Sequence, residues 1–319
     1  MKLKHGLIIT LILLPVTIVL RILQFLFAMD SAGYFVKDTA LARFLGPSLY
    51  ILLIVAALVL LLVMFKKPPT ILTMPDILYS KPLGVLFLVL ALAIAFYGGL
   101  RLGGAAGDSR FDFAAPFGIL SAFFFAALGF YALGGRVKFG VFAVSGLFAP
   151  VFMSLYIITL FFESFKQIKI SENKFDILSV CALALIFIML SLVSVGAGGL
   201  TIRRLGYVLM IYCLFSSITA VSRGILAVFG VYEYAGGLDI AWSVVEFVML
   251  IISLVLLRHI AFGTHFEPEP EGDSLQPDSC PGKVEPAYDG ADADLKGAAR
   301  VLKQPQNENG DVCDGAEQN

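Results

Sequence analysis

Charge is scarce in this chain. Of 319 residues only 15% are charged, while 59% are hydrophobic, and the mean hydropathy is +0.89. A soluble domain carries about 25% charge and about 45–50% apolar residues, so an ordinary soluble fold is excluded. Histidine is almost missing: His5, His259 and His265 are the only three, and none lies in the interior of a long apolar run. No H-E-x-x-H occurs, which excludes the usual zinc protease signature. Neither G-x-S-x-G nor a Walker A motif is present. The glycine-rich "GGLRLGGAAG" at Gly98–Gly107 lacks the GK[ST] of a phosphate cradle and reads as a flexible exit from a helix. Four cysteines, Cys181, Cys213, Cys280 and Cys313, have no CxxC or zinc-finger spacing. They read as small buried hydrophobes and free tail thiols, with no metal centre. Nothing pairs a nucleophile with a general base, so no enzyme is expected, and no cofactor or nucleic-acid partner is indicated.

What the chain has in quantity is long apolar segments. A helix needs about 20 apolar residues to cross a bilayer. Eight segments qualify: Leu7–Met29, Ser48–Phe65, Leu83–Leu100, Pro116–Leu133, Phe139–Phe162, Ile177–Val195, Leu205–Gly230 and Ile240–Ile260. The two-residue alternation of a membrane β-barrel is missing, and lipid cannot satisfy an open backbone. The expected class is therefore all-α: an integral membrane bundle of eight transmembrane helices over residues 1–262, with the lipid bilayer as its surroundings. Pro15 and Pro150 are candidate kinks in the first and fifth helices. The first segment follows Lys2 and Lys4 but has an embedded arginine and no A-x-A site, so it reads as a retained anchor.

Residues 263–319 are a different material. They hold 13 acidic residues against four basic ones, a net of −9, while residues 1–262 carry +8. Rich in Pro, Asp, Glu and Gly, this stretch has too few large apolar residues to offset the entropy of ordering. It reads as a disordered acidic cytoplasmic tail. With the N-terminus inside, ten Lys and Arg fall on the cytoplasmic side and seven outside. Both termini are accordingly expected in the cytoplasm. The odd-numbered segments open with "LKHG", "KPLG", "VKFG" and "RRLG"; a cation and a glycine are expected at inward-facing loops in any case.

Candidate chemistry is confined to polar residues inside the spans. Thr10, Thr17, Arg21 and Gln24 share one face of the first helix by their spacing. Tyr212, Ser216, Thr219 and Arg223 share a face of the seventh, and Asp239, Trp242, Glu246 and Ser253 a face of the eighth. Arg21 lies about 12 Å, and Arg223 and Glu246 about 10 Å, from the outer ends of their helices at 1.5 Å per residue. The three charges are thus expected at one level, in the outer half of the bilayer. An arginine there costs at least about 2.5–3.5 kcal/mol on insertion scales, so Glu246 is expected to pair with Arg21 or Arg223, unless Arg21 snorkels outward. The candidate ligand-binding set is Arg21, Gln24, Ser216, Thr219, Arg223, Trp242 and Glu246. Two guanidiniums against one carboxylate would suit an anionic small molecule or lipid headgroup. The alternative is a structural or regulatory membrane component in which polar residues bind the helices to one another.

The stretch "RILQFLFAMDSAGYF", through Arg21, Gln24, Asp30, Gly33, Tyr34 and Phe35, resembles a pattern near the N-terminus of many multi-pass membrane proteins of Gram-positive anaerobic bacteria: R-x-x-Q, then an acid and G-[FY]-F. The resemblance implies a bacterial plasma-membrane protein and carries no activity.

Overall fold

The computed structural model describes residues 3–29, 40–64, 77–103, 113–165, 171–196, 199–232, 234 and 236–262. The residues between these ranges, and the acidic extension after residue 262, lie outside them. The described residues fall within one compact unit, Met1–Glu267.

The architecture is the expected one, an all-α membrane bundle. Eight helices are long and apolar enough to cross a membrane. They are α1 (Leu3–Phe27), α2 (Ala40–Met64), α3 (Lys81–Leu102), α4 (Ala114–Ala132), α5 (Phe139–Phe165), α6 (Ser171–Ser194), a composite α7, and α8 (Gly237–Phe262). The three parts of α7 are an α-helix over Gly199–Ser216, a π-helical turn over Ser217–Val221 and a last α-helical stretch over Ser222–Val228. α1, α2 and α5 continue through Pro15, Pro47 and Pro150. The spans alternate in direction, so α1, α3, α5 and α7 finish at the end of the bundle farthest from Leu3, the distal end.

Consecutive helices pack side by side from α3 to α7, and α8 closes the arrangement against α3 and α7. The α1–α2 pair leans on α7. Burial follows from this placement: 72% of the apolar window of α7 is buried, against 28% in α1 and in α2. The outward faces remain apolar, with Phe44, Leu92, Phe96, Phe123 and Leu147 all exposed. Such a surface is stable only against hydrocarbon.

The α3–α4 contact is the most extensive in the bundle, and glycine makes it possible. A Cβ on Gly84 would stand 3.0 Å from the carbonyl oxygen of Gly129, and one on Gly129 would stand 3.0 Å from that of Gly84. The two backbones touch at this reciprocal pair, as small residues permit between membrane helices. Gly98, which the sequence placed in a flexible exit, is also inside α3. It faces α4, where a Cβ would meet Ile119 and the Ala115 carbonyl at 3.0 and 3.2 Å.

Candidate functional site

The polar face of α1 is buried throughout: Thr10, Thr17, Arg21 and Gln24 are each no more than 1% exposed. Arg21 therefore does not snorkel. Its guanidinium lies 4.6 Å from the ring centroid of Phe25 and 5.0 Å from that of Phe175 on α6. Nη1 donates to Gln24 Oε1 at 3.1 Å. Phe175 in turn stacks on Tyr50 of α2, with centroids 4.9 Å apart. Desolvated cation–π contacts of this kind are worth roughly 0.5–2 kcal/mol each. Gln24 Nε2 donates to the Leu45 carbonyl at 2.7 Å and so ties α1 to α2. Thr17 and Ser217 share a hydroxyl hydrogen bond of 2.7 Å, which ties α1 to α7 at its π-helical turn.

Arg223 makes its ion pair with Asp176 of α6. Nη2 lies 2.8 Å from each carboxylate oxygen, and the two side chains are 14% and 24% exposed. The ring of Tyr232 stands 5.7 Å from the guanidinium.

Glu246 does not supply the counter-charge expected of it. Among the described residues its carboxylate forms no ion pair with either arginine. Instead Ser179 Oγ donates to Oε1 and Thr219 Oγ1 to Oε2, both at 2.9 Å. The hydroxyls of Tyr212 and Ser216 donate to the Glu246 main-chain carbonyl at 3.0 and 3.3 Å. All five residues are buried. The reason is one of level. Ser179 is three residues past Asp176 on α6, and Thr219 is four before Arg223 on α7. Glu246 thus sits about one turn, roughly 5 Å, nearer the bundle centre than the Arg223–Asp176 pair. The charges expected in one layer occupy two.

A third group surrounds Trp242. Its indole lies 4.3 Å from the ring of Tyr156 and 5.0 Å from that of Tyr97, centroid to centroid. Arg101 closes the cluster from the distal end of α3. It is 8% exposed, its Nη1 donates to Tyr97 Oη at 3.0 Å, and its guanidinium faces the Tyr156 ring at 5.3 Å. Asp239, expected on the same face as Trp242, is exposed in the first turn of α8.

The seven candidate residues therefore divide into four sets. Arg21 and Gln24 bond each other; Ser216, Thr219 and Glu246 form the inner layer; Arg223 stands with Asp176, and Trp242 with aromatic rings. Sequence reasoning missed Asp176, Ser179 and Arg101. The signals were available: Asp176 and Ser179 lie three apart, on one helical face, and Arg101 is four residues after Tyr97. Ser179 and Thr219 also set hydroxyls beside a carboxylate, the pairing a hydrolase uses, but all three side chains are shut away from water. Of the two cysteines within the spans, both free thiols, Cys213 is buried as expected and Cys181 is half-buried. Among the described residues no cluster of His, Cys, Asp and Glu could hold a metal ion. Comparison of the chain with protein-family models, with curated proteins and with solved structures gave no match.

Proposed function

We propose that this chain is a non-catalytic component of a bacterial plasma membrane, structural or regulatory, that acts through protein partners, with its intramembrane polar residues serving as an internal lock. One observation carries the reading: Glu246, a buried charge, has both carboxylate oxygens and its main-chain carbonyl bonded by hydroxyls of α6 and α7. An anion-binding site would need donors turned toward an opening, and these donors are turned toward one another. Polar contacts between membrane helices commonly have this role. The hydroxyl–carboxylate pairs are out of reach of any substrate, which supports a non-catalytic role.

The same reading puts both termini in the cytoplasm. Arg101, counted from sequence as an external loop cation, ends α3 beneath aromatic rings. Without it the Lys and Arg tally is ten inside against six outside, a stronger bias in the same direction. Reporter fusions at Gly135 and at the C-terminus are expected to score as cytoplasmic, and an external signal from either would reverse the assignment. The bacterial origin rests on the resemblance around Arg21–Phe35.

Thermal unfolding of the purified protein with phosphate, sulfate or glycerol phosphate separates the lock from an anion site. The lock predicts no shift in Tm with any of them. A concentration-dependent rise that disappears in Arg223→Gln would overturn it in favour of anion binding.

A further inference from the structure

An open groove of about 350 Å³ runs between α7 and α8 at the distal end. Its walls are apolar: Ile225, Val228, Ile240, Val244 and Phe247, with Gly224 at the floor. Two hydroxyls interrupt this surface, those of Tyr234 and Ser243. Tyr234 Oη hangs over the floor, 4.0 Å from where a Cβ on Gly224 would stand. Neither hydroxyl has a hydrogen-bond partner among the described residues. The contrast with other helical hydroxyls is clear. Thr10, Ser154, Thr159 and Ser253 each donate to the carbonyl one turn back, and Ser243 does not.

A hydroxyl facing hydrocarbon without an acceptor is costly. The occupant of the groove must therefore be apolar along most of its length and offer an acceptor near one end. A partner helix fits poorly, because its carbonyls are already committed to its own backbone. A glycerolipid fits well, since it joins acyl chains to ester carbonyls. Depth agrees with this. α8 has 26 residues, about 39 Å, against a hydrocarbon core of about 30 Å, so each end projects roughly 4–5 Å. Ser243 is six residues from Gly237, which places it within about 5 Å of the hydrocarbon boundary, where ester groups lie. We propose that the α7–α8 groove binds one diester glycerolipid, with an acyl chain along the apolar wall and an ester carbonyl accepting from Tyr234 and Ser243. The site is separate from the polar lock and does not depend on it.

Native mass spectrometry of the full-length protein in detergent tests this, with diester and diether phosphatidylglycerol of equal chain length as probes. The ether lipid has the same headgroup and chains but no carbonyl. The diester is expected to be retained about 25-fold better, the size of two neutral hydrogen bonds. Tyr234→Phe combined with Ser243→Ala should bring the diester down to the diether level and leave the diether unchanged. Gly224→Leu, which fills the floor, should lower retention of both. Equal retention of the two lipids by the unaltered protein would overturn the proposal. So would a dimer that Gly224→Leu abolishes, because a second copy would then be the occupant.

Discussion

Two contacts in this bundle hold helices together by opposite means. Between α3 and α4 the backbones touch at Gly84 and Gly129 with no polar side chain between them. Around α7 the helices reach one another through polar side chains: Thr17 to Ser217, Arg223 to Asp176, and Ser179 and Thr219 to Glu246. Apolar burial cannot drive association inside a bilayer, because lipid tails are as apolar as the helix faces. Close packing and hydrogen bonding are what remain. Close packing depends on shape and tolerates no added atom. The polar contacts depend on satisfied partners and tolerate no removed one.

The polar contacts are most sensitive at Glu246. Glu246→Ala strands the hydroxyl of Ser179 in the buried interior and leaves Thr219 Oγ1 only its longer 3.3 Å bond to the Phe215 carbonyl; an unsatisfied buried group costs about 1–3 kcal/mol, and the truncated side chain leaves a cavity as well. We expect a loss of about 2–4 kcal/mol in thermal unfolding, with Glu246→Gln losing much less because it keeps an acceptor oxygen. Equal losses in the two variants would mean that the carboxylate charge, and not hydrogen-bond satisfaction, is what the site requires.

Gly129→Leu tests the other contact. The added side chain meets Leu88 and the Gly84 carbonyl, and overpacking of this kind costs typically 1–3 kcal/mol. Leu88→Ala in the same background should rescue it only in part, since the Gly84 carbonyl remains 3.0 Å from the added Cβ. Full rescue would show that the backbone contact does not limit the approach of α3 and α4.

Thr17→Val should have the smallest effect, about 1 kcal/mol. It removes one hydroxyl partner, and Ser217 retains its bond to the Leu214 carbonyl. A loss as large as that of Glu246→Ala would mark the α1–α7 contact, and not the inner layer, as the centre of the lock.

How much of this the sequence revealed depended on which physical signal was read. Hydropathy located all eight spans, and helical spacing placed Thr10, Thr17, Arg21 and Gln24 on one buried face. Hydropathy is also what hid Asp176. The apolar run of α6 begins at Ile177, but the helix begins at Ser171, so the partner of Arg223 was assigned to a loop. Arg101 was lost in the same way at the end of α3. The face of α7 was misprojected for another reason. Uniform 3.6-residue spacing aligns Thr219 with Arg223, whereas the π-helical turn at Ser217–Val221 adds about one residue and rotates the rest of the helix by about 100°. Ser222 Oγ accordingly reaches the carbonyl five residues back, on Ser217, and Arg223 faces α6 in place of α8. No composition or periodicity marks that turn.

The buried charges divide into two layers, and paired double-mutant cycles measure that division directly. Thermal unfolding in detergent would compare Arg223→Met and Asp176→Leu, singly and together, with Arg223→Met and Glu246→Gln, singly and together. The expected coupling energy is about 1–3 kcal/mol for Arg223 with Asp176, with the double variant less destabilised than the sum of the singles, and within about 0.5 kcal/mol of additivity for Arg223 with Glu246. Strong coupling of Arg223 to Glu246, with additivity toward Asp176, would contradict the two-layer arrangement and restore Glu246 as the counter-ion.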